Sequence, residues 1–201
     1  AAALLRMETC GTGMLGLASL VQAQTPPPTD AVRLPPGVTR VTQVEGITEY
    51  ALGNGLHVLT LPDASKPTTT VNLTIKVGSR MENYGETGMA HLLEHLMFKG
   101  TPNHRDPKKE MSERGLAWNG TTSDDRTNYF ASMAESPVNL DFYLRWLAEA
   151  LTQSFIAKKD LDSEMTVVRN EMESGENDPG NVLFQNVRAA AFHWHNYANS
   201  T

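Results

Sequence analysis

Apolar residues alternate with polar ones over several short stretches of the chain, which is the pattern of half-buried β-strands. Strands are predicted at residues 48–52, 56–61, 68–77, 117–123 and 127–133. The first two are separated by Asn54-Gly55, a pair that suits the type I′ turn of a tight hairpin. The third is expected to place its apolar side chains on one face: Val71, Leu73, Ile75 and Val77.

Longer stretches repeat their apolar residues with the period of an α-helix. Helices are predicted at residues 86–99, 107–114, 138–153, 159–173 and 181–194. Gly100 and Gly115 end the first two, because glycine readily adopts the left-handed conformation that follows a helix. Strands and helices in separate runs predict an α+β fold, a largely antiparallel sheet with helices packed on it.

The N-terminal part of the chain is expected to lie outside this domain. An uncharged, mostly apolar run over residues 11–21 precedes Val21-Gln22-Ala23, so residues 1–23 are predicted to be a signal peptide, the alternative being a disordered leader. The run is about half the roughly 20 residues that span a bilayer, so no stable membrane span is expected. Residues 24–45 are predicted to be a proline-rich tether, and residues 46–201 the domain, truncated at its C-terminal end. This arrangement predicts a periplasmic or secreted protein.

Composition excludes some classes of function. The formal net charge of −6 leaves no basic excess to neutralise phosphates, so nucleic acid is not an expected partner. The single cysteine, Cys10, precedes the domain. Any metal site in the domain must therefore use nitrogen and oxygen ligands.

The helix predicted at 86–99 carries the sequence His91-Leu92-Leu93-Glu94-His95. At about 100° per residue its three polar members share one face, while Met89, Leu92, Leu93, Leu96 and Met97 are expected on the opposite, buried face. Two imidazoles one turn apart can bind one metal ion. The pattern arises by chance on the order of once per hundred such sequences, so it is suggestive but not sufficient alone.

A catalytic zinc site needs a third protein ligand, and Glu171 is the candidate. Glu171 and Glu164 lie seven residues apart, at one edge of an apolar stripe that we expect to be buried. The stripe consists of Leu161, Met165, Val168 and Met172. Glutamates in such places are usually solvated, so their interpretation depends on the histidine motif.

Together these motifs resemble the inverted zinc metallopeptidases of the insulinase and pitrilysin family, which include the catalytic subunit of mitochondrial processing peptidase. The shared features are His-x-x-Glu-His on a helix and, 76 positions after its last histidine, a glutamate that follows another by seven residues. The resemblance implies Zn²⁺ as cofactor, held by His91, His95 and Glu171. It also implies Glu94 as the general base and Glu164 as a supporting acidic residue.

The resemblance extends to a strand expected to bind the substrate backbone. Asn119 and Thr122, with Asp125, Thr127 and Tyr129 beyond them, match the family's segment along the cleft, and the resemblance makes Asn119, Gly120, Thr121 and Thr122 the substrate-binding residues. Gly120 stands where the family usually has alanine. Without the family, the segment is simply a threonine-rich hairpin.

The expected function is zinc-dependent endopeptidase activity on peptides or unfolded polypeptides, with a metal-activated water and Glu94 as base. The resemblance also implies a further homologous C-terminal domain or partner subunit that completes the substrate chamber. A non-catalytic scaffold subunit of the same family is the alternative, although such subunits typically lose motif residues. A lyase sharing the histidine motif needs a cysteine in its site, and none follows Cys10.

Overall fold

The computed structural model describes residues 34–198, so the predicted signal peptide and the first part of the tether lie outside the described residues. The strands are β1 (Val38–Val44), β2 (Ile47–Leu52), β3 (His57–Thr60), β4 (Thr68–Ile75), β5 (Ala117–Thr122) and β6 (Thr127–Ala134). The helices are α1 (Met89–Leu96), α2 (Pro107–Glu113), α3 (Pro137–Gln153), α4 (Lys158–Glu176) and α5 (Pro179–Ala191). Antiparallel sheets with helices confirm the predicted α+β class. No helix of the described part is long and apolar enough to cross a membrane.

The chain divides into two compact units, the first ending at Pro62. This unit contains a three-stranded antiparallel sheet in the order β1-β2-β3. The predicted hairpin is confirmed: Gly55 has a φ of 87° in the turn, and the Leu52 amide donates to the Leu56 carbonyl.

Strand β1 lies within residues 24–45, which the sequence analysis assigned to the tether, so that part of the assignment was wrong. The valines of this strand, Val38, Val41 and Val44, do not follow the alternating pattern. The pairing of β1 with β2 shifts register between Arg40 and Thr42, and such a bulge interrupts strict alternation. The period-two signal is therefore absent from a strand that nevertheless pairs along its length.

The second unit, which begins at Asp63, contains an antiparallel sheet in the order β4-β6-β5. In the register, Tyr129 of β6 lies opposite Leu73 of β4 and Gly120 of β5, so these residues share one face. Side chains of the helices and of the segment that follows α1 cover that face and form a core that includes Met97, Phe98, Met111, Phe142, Tyr143, Trp146 and Leu147. This face positions the functional residues, because α1 lies against β5.

Helix α1 is shorter than predicted, since it begins at Met89 and not at residue 86. Gly88 has a φ of 90°, a left-handed conformation that glycine tolerates and that cannot continue the helix towards its N-terminus. Helix α5 begins earlier than predicted, at Pro179, because the Asp178 side chain accepts a hydrogen bond from the Gly180 amide and caps it.

Some predicted buried residues are exposed. Leu92, Leu96 and Met97 are buried as expected, but Met89 and Leu93 are about half exposed, since α1 is short and only part of its apolar arc faces the sheet. Val77 lies beyond the end of β4 and is also exposed. The apolar stripe of α4 is only partly as predicted: Leu161 and Val168 are half-buried, but Met165 and Met172 are exposed, and Glu164 is the buried residue of that helix.

Candidate metal centre

Helices α1 and α4 bring three potential metal ligands together. His91 and His95 lie one turn apart on α1, and their Nε2 atoms are 3.2 Å apart. Glu171 comes from α4, and its Oε2 lies 3.3 Å from His91 Nε2 and 3.7 Å from His95 Nε2. The three side chains form a group that could hold one metal ion between the two helices.

The spacing of these donors fits a zinc ion. Tetrahedral zinc binds nitrogen and oxygen at about 2.0–2.2 Å, which separates neighbouring ligand atoms by about 3.3–3.5 Å. The observed separations of 3.2, 3.3 and 3.7 Å lie close to that value. Two imidazoles with one carboxylate are also a known ligand set of catalytic zinc sites, in which a fourth position stays open.

Glu164 lies behind His95 and fixes its orientation. The Nδ1–H of His95 donates to Glu164 Oε2 at 2.9 Å, because an ionised carboxylate can only accept. With its proton on Nδ1, the ring presents the Nε2 lone pair towards His91 and Glu171. Glu164 is thereby placed to orient a potential metal ligand, and it is not one of the three grouped donors itself.

A lysine keeps Glu164 ionised in this buried position. Lys99 Nζ lies 2.5 Å from Glu164 Oε1, and the Glu164 side chain is 7% exposed. Burial raises the pKa of Glu164, but the hydrogen bonds and charges of Lys99 and His95 outweigh it and hold the pKa below its usual range.

Glu94 is buried between α1 and β5. The hydroxyl of Thr122 donates to Glu94 Oε2 at 2.9 Å. A methyl group on Gly120 would lie 2.5 Å from Glu94 Oε1, so the glycine leaves the space that the carboxylate occupies. Burial, with the charge of Glu94 adding to it, raises the pKa of the nearby Tyr129 hydroxyl, which therefore stays protonated.

A cavity of about 410 Å³ opens beside these side chains. Eight of the nine predicted site residues line it: His91, Glu94, His95, Asn119, Gly120, Thr121, Thr122 and Glu171. The ninth, Glu164, lies behind His95. Strand β5 forms one wall and is an edge strand of its sheet in the described part of the chain, which leaves one side of its backbone available for pairing.

The sequence analysis missed several residues of the site. Phe98, Lys108 and Trp118 also line the cavity, and Lys99 pairs with Glu164. Lys99 could have been found, since it follows His95 by four residues and the helix predicted at 86–99 places both on one side, although α1 ends at Leu96 in the structure. Nothing in the local pattern marks the other three, whose positions depend on tertiary packing.

Sequence comparisons identify a family and individual relatives. The family model described as Insulinase (Peptidase family M16) matches residues 57–201. A probable mitochondrial-processing peptidase subunit beta from Arabidopsis thaliana is 35% identical over 145 residues, which cover 71% of this chain and 27% of that protein. An uncharacterized zinc protease from Rickettsia felis is 32% identical over 143 residues, covering 70% of this chain and 34% of that protein.

Solved structures show the same fold. A protease from Helicobacter pylori superposes with a TM-score of 0.67 at 31% identity, covering 81% of this chain and 37% of the other. The first half of the periplasmic protease PqqL from Escherichia coli gives a TM-score of 0.68 at 28% identity, covering 75% of this chain and 34% of that chain. The chain thus spans about a third of the length of the relatives that it matches.

Proposed function

The chain belongs to the insulinase family of peptidases, peptidase family M16, and on that premise we propose that it carries the zinc site of an endopeptidase that hydrolyses peptide bonds. The observation that carries the proposal is the convergence of His91, His95 and Glu171 from two helices beside the buried carboxylate of Glu94. The similarity to a protein named as a zinc protease supports the choice of metal.

In this proposal His91, His95 and Glu171 hold Zn²⁺, and Glu164 orients His95. A bound zinc ion supplies Lewis acidity, which polarises a peptide carbonyl and lowers the pKa of a water molecule towards 7. With two neutral imidazoles and one carboxylate around it, Zn²⁺ would keep a net charge of about +1 at the site. That positive charge favours the activation of water and of the carbonyl.

Glu94 performs the proton transfers. Its Oε2 accepts a hydrogen bond from Thr122, and its carboxylate faces the same cavity as the proposed ligands. Glu94 takes a proton from the attacking water and passes it to the nitrogen of the departing amine. A single carboxylate therefore serves as base and then as acid.

Strand β5 is proposed to bind the substrate backbone through Asn119, Gly120, Thr121 and Thr122. These residues line the cavity on an edge strand, and backbone pairing orients a scissile bond without demanding much sequence. The substrate class that follows is peptide or unfolded polypeptide, because most extended backbone of a folded protein is already paired within its own sheets.

The complete enzyme is proposed to include a further homologous domain or partner subunit. The matched relatives are about three times as long as the matching segment, and one solved structure is described as the first half of its protease. We expect residues 1–201 alone to bind one zinc ion but to hydrolyse peptides poorly. Robust turnover by this segment alone would contradict that expectation.

Export to the periplasm or the cell exterior is proposed from the apolar run at residues 11–21, with cleavage near Ala23. A periplasmic protease among the similar structures is consistent with this location. Sequencing the N-terminus of the mature protein tests it. A mature chain that retains the residues before Ala23 excludes the cleavage.

The roles of Glu94 and Glu171 are tested by two matched amide substitutions in the full-length enzyme. Glu94→Gln retains all three ligands, so bound zinc should remain near one per chain while turnover falls about 10²- to 10⁴-fold. Glu171→Gln removes the anionic ligand, so zinc affinity should fall and excess zinc should partly restore turnover. Loss of zinc from Glu94→Gln, or full zinc affinity in Glu171→Gln, contradicts these roles. A parent protein that binds zinc but cleaves no peptide would favour the scaffold alternative.

A further inference from the structure

Glu82 is a buried carboxylate outside the candidate metal centre. It lies in the loop before α1, its residue is 7% exposed, and it does not line the cavity. Its Oε2 accepts a hydrogen bond from the Gly88 amide at 2.8 Å, and its Oε1 accepts one from the Ala90 amide at 2.7 Å. Both carboxylate oxygens are therefore used on the first turn of the helix that carries the histidines.

Helix α1 has no cap of its own at this end. Gly88, the residue at the N-cap position, offers no side chain, and the first turn contains no acidic residue. The first amides of a helix lack partners within the helix and carry its positive partial charge. Glu82 accepts hydrogen bonds from two of these amides and places a negative charge beside them. It therefore caps the helix, although it precedes the two amides by six and eight residues and does not occupy the N-cap position.

The cap acts next to the proposed ligands. Ala90 immediately precedes His91, and Glu94 follows one turn later. Helix α1 has only eight residues, and a helix of two turns forms weakly without external contacts. Fixing the first turn therefore fixes the direction from which both side chains enter the cavity.

Glu82 is itself held from a distant part of the chain. The Asn196 side-chain amide donates to the carbonyl of Arg80 at 2.6 Å and to that of Glu82 at 3.0 Å. Asn196 begins a short 3-10 helix that follows α5. A contact between segments more than a hundred residues apart thus sets the position of the loop that caps α1.

We propose that Glu82 is a positioning residue of the metal centre, which orders the first turn of α1 so that His91 and Glu94 are placed before the ion binds. This inference rests on the proposed zinc site, but its mechanism acts in the metal-free protein. Glu164 contacts the side chain of the proposed ligand His95, whereas Glu82 acts through the backbone of α1.

The test uses Glu82→Ala and Glu82→Gln in the full-length protein, with Glu86→Gln as matched control. Glu86 lies in the same loop and is exposed, and within residues 34–198 its carboxylate accepts hydrogen bonds only from Asn83. Glu82→Gln keeps one acceptor oxygen and should therefore retain part of the cap. It also provides a testable variant if Glu82→Ala does not fold.

Three measurements are needed: zinc affinity by competition, the absorption spectrum of the Co²⁺-loaded protein, and amide exchange of the metal-free protein. We expect about tenfold weaker zinc binding for Glu82→Ala, a smaller loss for Glu82→Gln and none for Glu86→Gln. The Co²⁺ spectrum should change in the same order, and exchange should accelerate at Gly88 and Ala90 while the core amides stay protected.

Parent-like zinc affinity and Co²⁺ spectrum in both Glu82 variants would overturn the inference. So would exchange that accelerates uniformly, because that result indicates a general loss of stability. A parent protein that binds no zinc contradicts the proposed function instead. In that case accelerated exchange confined to the first turn of α1 still supports the cap, and unchanged exchange there rejects it.

Discussion

Replacing Lys99 with methionine tests how the candidate site maintains a charged carboxylate behind His95. Methionine is similar in length to lysine and keeps the apolar contacts of its stem, but it removes the cation that lies 2.5 Å from Glu164 Oε1. The carboxylate then has His95 as its remaining partner. We expect both the folded state and the metal centre to be weakened.

The magnitude follows from the burial of the pair. Removing one partner of a fully buried ion pair costs about 3–5 kcal/mol, whereas an exposed pair contributes about 0–1 kcal/mol. The side chain of Glu164 is 7% exposed and that of Lys99 is 26% exposed, which places this pair between the two cases. We therefore expect Lys99→Met to lower the free energy of unfolding by about 2 kcal/mol and zinc affinity by about tenfold.

Urea unfolding without metal and zinc competition provide the two measurements. Lys158→Met is the matched control, because Lys158 pairs with Asp162 at 2.7 Å on the exposed side of α4. Its effect should not exceed about 0.5 kcal/mol. The double variant Lys99→Met/Glu164→Gln should regain part of the lost stability, because it no longer buries an unpaired charge.

Two results would refute this reasoning. If Lys99→Met destabilises no more than Lys158→Met, the buried pair contributes no more than a surface pair. If the double variant is less stable than Lys99→Met alone, the unpaired charge is not the cause of the loss.

Three further predictions follow from the same contacts. Thr122→Val removes the hydrogen bond to Glu94 and should lower kcat about tenfold with bound zinc unchanged; a lowered zinc content contradicts it. Gly78→Ala should destabilise by about 1–3 kcal/mol in urea unfolding, because the new methyl group would lie 2.1 Å from the Ser123 carbonyl oxygen, and a neutral effect contradicts it. The lowered pKa of Glu164 stabilises the fold above its unfolded pKa, near 4.5, and that contribution is lost as pH falls through the folded value. The free energy of unfolding of the metal-free protein, measured with urea, should therefore fall more steeply from about pH 6 to about pH 3 for the unsubstituted protein than for Glu164→Gln.

The grouping of His91, His95 and Glu171, the proposed ligands, could be predicted from the sequence because each part is locally encoded. His91 and His95 face the same way by the geometry of one helical turn, and Glu164 and Glu171 by that of two turns. The resemblance to a known family then paired the two helices, which spacing alone does not do. The alternation of the strands placed Gly120 and Thr122 on one face of β5 in the same way.

The supporting residues could not be predicted, because their roles depend on contacts between distant segments. Glu82 caps a helix whose own N-cap is a glycine, and Asn196 reaches it from beyond α5. The bulge in β1 likewise removes the pattern on which strand prediction depends. In each case the residue that determines the local structure lies too far away in the sequence to contribute to a periodic pattern of apolar residues.

The partly wrong prediction for α4 shows what holds that helix in place. Met165 and Met172 are about half exposed, and Leu161 and Val168 are only partly buried, so a fully buried apolar stripe does not orient the helix within the described residues. Its buried residue is Glu164, which bonds both His95 and Lys99 on the α1 side. Glu171, two turns later on the same edge, is thereby directed at the two Nε2 atoms. The contact that orients a proposed ligand of α1 therefore also orients the helix that supplies the third ligand, and weakening it should disturb both sides of the centre together.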